Sequence, residues 1–296
     1  NTGGFFLVND CIHVLISLIS LISLILERHC QCHGYDPASI VLKLYWTVAV
    51  RTRTLDRYAF RGNGRHPMRN SYGQFCPISM ASEILCTRWT PLLLREFLCG
   101  STRFNDLRRG LPRMSPSLLS KRLGELETAG VIQSGKGAQG VKEYNLTQAG
   151  EELRPLVMGI GAWGQRWVES EVSLNNLDPE LLIWDMHRGL HIDPLPERLV
   201  CLQFVFADLP VTRQNYWLLV DPKSGVEACY NDPGYDVDLY SESTLRTMTA
   251  IWMGLDTVEK AVSNGRLDLT GPREIAARMQ EWLGLSPFAQ EERMTC

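Results

Sequence analysis

The sequence predicts an α+β protein built from two unlike halves, and three observations carry that prediction. Apolar residues recur at helical spacing from Ile78 to Trp167, broken once by a Gly-rich hairpin signal. From Leu199 onward short alternating runs replace the helical stripes. Charge divides along the same line. Residues 68–150 carry eleven cations against six carboxylates, a net +5, whereas residues 151–296 carry twelve against twenty-three, a net −11. The first 67 residues contribute +3, so the overall −3 conceals a basic middle suited to phosphate and an acidic remainder that is not. With 296 residues, 45% of them apolar, the chain can fill two modest cores.

The nine cysteines are odd in number and scattered, with only Cys30 and Cys32 close together. Neither a disulfide framework nor a zinc pattern is expected, Cys11, Cys30, Cys32 and His33 matching no ligand spacing; a reducing cytoplasm fits best. Residues 1–67 are expected to be an unstructured, non-domain segment. They begin with Asn1 rather than Met and hold a threefold Leu-Ile-Ser repeat from Leu15 to Ser23. The apolar run Val14–Leu26 is shorter than the roughly 18 residues of a membrane span, and the cations lie too late for a secretion signal. Met68 stands just before RNSYGQFCPI, so 1–67 is read as upstream sequence translated in frame.

Each element of the middle has a local reason. Ile78 to Thr87 and Trp89 to Leu98 present Ile84, Leu85, Leu93, Leu94 and Phe97 on one surface, and Gly100 closes the second helix. The run FNDLRRGL predicts a short helix with Asn105 as its N-cap and Pro112 as its stop. Ser115 then caps a helix with Pro116 at its first position. Leu119, Leu123 and Leu126 give that helix a core stripe, leaving Ser117, Ser120, Lys121 and Gly124 opposite, with Arg122 at the boundary. Short hydroxyls and a cation on an outward face suit close approach to a major groove. Gly130 ends the helix; Val131–Ser134 and Lys142–Leu146 pair across GKGAQG as a hairpin carrying Lys136. Thr147 caps a last helix whose Leu153, Leu156, Val157, Ile160, Trp163 and Trp167 form a stripe too rich for one small domain, predicting a dimer contact.

That order of elements is that of a winged helix-turn-helix. Residues 75–167 resemble the HxlR-type winged helix-turn-helix regulators, relatives of the MarR group. The resemblance rests on Cys76-Pro77, Arg88-Trp89-Thr90, the run Arg103-Phe104-Asn105-Asp106-Leu107, Met114-Ser115-Pro116, the Leu119–Leu126 helix, Glu143-Tyr144, and Leu146-Thr147 with Gly150. It implies a homodimer whose paired helices read two half-sites of double-stranded DNA about one turn apart. Arg103, Ser115, Ser117, Ser120, Lys121 and Lys136 are the expected DNA-binding residues. The resemblance also implies a redox role for Cys76, although its neighbours Phe75 and Ile78 bring no charge to activate a thiolate, so a buried structural thiol is expected from the residues themselves.

Asn175–Glu180 makes a polar break, after which Leu199–Ala207, Tyr216–Val220, Val226–Tyr230 and Val237–Tyr240 read as an antiparallel meander. Helices follow at Thr244–Gly254, Thr257–Asn264 and Pro272–Leu283, covering one face. The tail, from Trp252-Met253-Gly254-Leu255 through Gly265-Arg266-Leu267 and Leu269-Thr270-Gly271, resembles the sterol-carrier-protein type of domain. That implies an apolar tunnel for a lipid-like ligand, lined by Phe204, Phe206, Trp217, Met248, Trp252 and Met253, though each also suits an ordinary core. Asp185, His187, His191 and Asp193 are read as an exposed acidic loop, because Gly189 and Pro194 interrupt any helix that would align them as ligands.

The expected layout is a non-domain segment over 1–67, a DNA-binding domain over 68–171, an effector domain over 178–285 and a tail over 286–296. The expected function is that of a cytoplasmic, non-enzymatic transcription regulator, modulated by a small apolar effector and needing no cofactor, metal or membrane. No Ser-His-Asp, phosphate-loop or dinucleotide signature is present. The alternative is a lipid-binding protein that uses its winged helix for dimerisation or protein contact. The first reading requires the helical surface after Met114 to be free.

Overall fold

The computed structural model describes residues 71–137, 140–169 and 174–294. These belong to the compact unit Met68–Cys296; the other unit is Asn1–Pro67, and the apolar run and cysteine group expected there lie outside the described residues. Among the described residues, no helix is long and apolar enough to cross a membrane.

Helices α1 (Pro77–Leu85) and α2 (Thr90–Leu98) open the first half, α2 burying Leu93, Leu94 and Phe97. Between them Trp89 N-caps α2 at φ +79°, a left-handed conformation costing about 1–2 kcal/mol that its ring offsets by packing against the core. Helix α3 (Phe104–Arg109) is N-capped by Arg103, not Asn105, which lies inside its first turn. The wing explains the shift: Tyr144 N donates to Thr102 O at 2.8 Å and Arg103 bridges to Glu143, holding the residues before α3 extended.

Helix α4 (Pro116–Thr128) starts as the sequence predicts, with Ser115 Oγ accepting from Leu118 N at 3.3 Å. Leu119, Leu123 and Leu126 turn inward, and Gly130 leaves the helix at φ +68°, where a side chain would be strained. Strands β1 (Ile132–Lys136) and β2 (Lys142–Leu146) pair antiparallel, placing Lys136 opposite Lys142. The helix expected after Thr147 is two: α5 (Gln148–Glu151), which Thr147 caps, and α6 (Arg154–Trp167).

The second half begins with an element absent from the sequence reading. Helix α7 (Pro179–Gly189) is capped by Asp178, whose Oδ1 accepts from Leu181 N at 3.1 Å. A five-stranded sheet follows, made of β3 (Val200–Phe206), β4 (Asn215–Asp221), β5 (Gly225–Cys229), β6 (Leu239–Ser243) and β7 (Leu267–Thr270), in spatial order β5-β4-β3-β6-β7. The expected meander holds for β3-β4-β5, but β6 runs parallel to β3, so the sheet is mixed. Asp238 accounts for this: it accepts from Cys201 N at 2.9 Å and from Arg198 at 2.7 Å, pinning the entry to β6 beside the start of β3. The strand expected at Val237–Tyr240 is therefore displaced to Leu239–Ser243, and β7 pairs with its outer edge.

Helices α8 (Leu245–Trp252) and α9 (Val258–Ser263) precede β7, while the helix expected over Pro272–Leu283 divides into α10 (Arg273–Ala276) and α11 (Met279–Leu283). Alternation along the strands sends Val200, Leu202, Phe204 and Phe206 into one core with α7, α8, α9 and α11. On the opposite face Cys201, Trp217 and Leu219 form a smaller cluster with Cys229 and Val237. The winged helix keeps its own core around Leu93, Leu107, Leu119 and Leu123.

Candidate nucleic-acid interface

One face of α4 is committed to the core and the other to solvent. Ser117, Ser120, Lys121 and Gly124 are exposed along it, and the Lys121 side chain is 67% exposed, with Glu125 4.0 Å away. Arg122 instead folds back onto Glu125 and is only 16% exposed. Ser115 is exposed too, but its hydroxyl already caps the helix and lies 3.2 Å from that of Ser117. Arg103 stands at the junction of α3 with the wing, half-exposed, its Nε donating to Glu143 Oε1 at 3.3 Å. Lys136 is exposed at the end of β1. The surface thus combines groups able to neutralise phosphate with small residues that let backbone approach base edges.

Sequence reasoning passed over two exposed cations in this region, Arg113 in the turn between α3 and α4 and Lys142 across from Lys136. A cation in the turn just before a helix with an exposed polar face was a usable signal. Lys142 Nζ lies 4.7 Å from the Tyr144 ring centroid, so part of its field is spent on that ring.

The stripe on α6 divides. Leu153 and Val157 pack on the winged-helix core, while Leu156, Ile160, Trp163 and Trp167 are exposed, Trp163 by 62%. Phe75, Ile78 and Met80 around the start of α1 are exposed as well. Cys76, at the N-cap of α1, is half-buried rather than buried.

Five of the six residues expected to line a tunnel come together: Phe204, Phe206, Met248 and Trp252 lie in the large core and Met253 packs against it. Trp217 does not, because its odd position in β4 turns it to the opposite face. The acidic loop is also corrected. Asp185 and His187 sit on α7, half-buried, whereas His191 and Asp193 follow it on exposed backbone. Burial pushes the His187 ring down to about 4, and it stacks on Trp184 with centroids 4.2 Å apart. Among the described residues no group of His, Cys, Asp and Glu is arranged to hold a metal ion.

Among the described residues, the most heavily buried charge lies where the two halves meet. Glu96, on α2, is 0% exposed. Its Oε1 accepts from Arg95 Nη2 at 2.6 Å, and its Oε2 accepts from Trp184 Nε1 at 3.2 Å and Arg188 Nη1 at 2.9 Å. Arg188 also pairs with Asp185. Burial by itself lowers the Arg188 pKa, but Glu96 and Asp185 outweigh it and hold the guanidinium above its ordinary value. Burial raises the Asp185 carboxyl against the pull of Arg95 and Arg188. Nothing in the sequence marked Glu96, since a Glu at a helix position usually faces water.

Residues 84–172 match the model of the HxlR-like helix-turn-helix family. Over 99 residues the chain is 35% identical to the HTH-type transcriptional regulator YvaP of Bacillus subtilis, covering 92% of YvaP and 32% of this chain. The chain belongs to the HxlR-like helix-turn-helix family. It is also 35% identical over 101 residues to the HTH-type transcriptional regulator sll1512 of Synechocystis, covering 75% of that protein and 33% of this chain. Among solved structures it is similar to the reduced form of the transcriptional regulator YodB from B. subtilis, at 25% identity and a TM-score of 0.29, covering 98% of that protein and 33% of this chain. These HxlR-like matches span about a third of the chain.

Proposed function

We propose that this protein is a DNA-binding transcription regulator that grips double-stranded DNA as a homodimer. The observation that carries the reading is the free outer face of α4, where Ser117, Ser120, Lys121 and Gly124 stand exposed opposite a stripe of fully buried leucines. Arg103 and Lys136 flank that face at the base and end of the wing and extend the phosphate contact. The exposed residues of α6 and of the start of α1 supply an apolar surface for a second copy, which sets two recognition helices about one DNA turn apart. In this reading the DNA-binding domain spans 68–171, the effector domain 178–285, the tail 286–296, and the protein works in the cytoplasm without catalysis.

The second half takes a small apolar effector in a sterol-carrier-like arrangement. Helices gathered on one face of the sheet, with Phe204, Phe206, Met248, Trp252 and Met253 between them, favour that assignment. Cys76 is retained as a redox-responsive thiol, half-buried at a helix start. Replacing it by Ser abolishes oxidant-dependent DNA release if it senses; unchanged release removes the role.

The function is tested by selecting bound fragments from genomic DNA and titrating the best of them with salt. Affinity falls steeply with salt, and Lys121→Ala binds more weakly with a slope smaller by about one unit. An unchanged salt titration rejects the assignment of Lys121. Co-purified lipid with no DNA affinity favours a lipid-binding protein instead.

A further inference from the structure

Helix α7 has two committed faces. Leu182, Ile183 and Met186 enter the large core against the sheet. Trp184 and Arg188 reach the winged helix and donate to the same carboxylate oxygen of Glu96, at 3.2 and 2.9 Å. The Trp184 indole also carries Arg109, whose guanidinium carbon lies 5.4 Å from its centroid and 5.9 Å from that of Tyr230. Arg109 is the last residue of α3, and Arg95, next to Glu96, donates to the carbonyl of Gly110 at 3.1 Å. Gly110 has no room for a side chain: a Cβ there would stand 1.8 Å from Glu96 Oε2. From Gly110 the chain runs through buried Leu111 and Met114 to Ser115, the cap of α4. The carboxylate that α7 holds is thus wedged against the turn that aims the outward helix.

We propose that Glu96, Trp184 and Arg188 are positioning residues for α4, so that the second half sets DNA affinity through the seat of α7. This rests on the DNA-binding reading above. Glu96 takes its donors from both halves. When α7 shifts, the carboxylate keeps Arg95 on Oε1, but its Oε2 loses Trp184 and Arg188 together and must re-pair or admit water, because a buried carboxylate oxygen without a donor is costly. Such a node switches between discrete arrangements rather than sliding. The same helix lines the core that faces the proposed effector, so a molecule that displaces Leu182 or Met186 also moves the groups holding the end of α3.

The test uses the full chain with Trp184→Phe, which keeps a ring and removes one donor, and Arg188→Gln. Duplex binding is measured across salt concentrations, and hydrogen exchange is followed over residues 104–126 and 132–146. Arg188→Gln is expected to bind roughly tenfold more weakly, an ordinary size for coupling between sites, with the wild-type salt slope. Exchange accelerates in 104–126 and stays unchanged in the hairpin. Wild-type affinity in variants that are folded but less stable overturns the proposal, since a purely structural role moves melting alone. If the wild-type chain binds no duplex, the functional reading fails while exchange still decides the coupling, and unchanged protection in both variants overturns it. Should Arg188→Gln not fold, Trp184→Phe carries both measurements.

Discussion

Helices α4 and α7 begin with the same grammar and end in opposite circumstances. Each has a short polar cap, Ser115 or Asp178, whose oxygen accepts a backbone N–H three residues on, and each places Pro at its first position. Beyond that start α4 buries only its leucine stripe and leaves hydroxyls and Lys121 in water. Helix α7 spends one face on the large core and the other on Glu96 and Arg109. The cap decides where a helix starts; the residues on its remaining faces decide whether it meets water or a second packed surface.

The two helices respond to the same kinds of change in ways that widen or erase this contrast. Truncating an inward residue strikes both hardest: Leu123→Ala in α4 and Met186→Ala in α7 are each expected to cost about 2–5 kcal/mol in denaturant unfolding, both side chains being all but inaccessible. Glu96→Ala comes next, at about 3 kcal/mol, because it leaves the Trp184 indole N–H without its acceptor and Arg188 with Asp185 alone. A loss near zero would mean that the joint holds nothing together. The caps behave alike, Ser115→Ala and Asp178→Ala each costing about 1 kcal/mol in the same unfolding series.

Acid separates the helices again. His187 is held down at about 4 in the folded chain and protonates near 6.5 when unfolded, so the unfolded state binds more protons between those values. Its contribution is complete above pH 6.5, declines as pH falls toward 4 and changes no further below. The raised Asp185 carboxyl works in the opposite sense, so the test is the difference between wild type and His187→Gln. Identical melting profiles across that window would show that His187 is not held neutral by its burial. The smallest effect belongs to Lys121→Ala, expected within about 0.5 kcal/mol in stability while DNA affinity falls.

The winged helix was legible because its signals are local. Ser115-Pro116, the leucine spacing, Gly130 and the hairpin turn each act within a few residues, and the exposed face of α4 follows from the buried one by helical geometry. The elements that were missed depend on distant partners. Asn105 has the chemistry of a cap but lost that place to Arg103, because Thr102 and Glu143 hold the preceding backbone in the wing sheet. Trp217 looked like its neighbours Phe204 and Phe206 in composition, yet its odd position in β4 turns it to the other face. The direction of β6 follows from Asp238 meeting Cys201 and Arg198 across more than thirty residues, which no local periodicity records.

By itself the sequence determined the order of the winged-helix elements, their caps and turns, the inward leucines of α4 and the division of charge between the halves, since each depends on neighbours within a turn or two of helix. Only the tertiary structure decided that α7 exists as a joint, that Glu96 is buried rather than solvated, and that the sheet is mixed. A carboxylate has no preference for the interior until an indole and an arginine from the distant helix α7 join its neighbour Arg95 around it, and that meeting is a property of the packed chain.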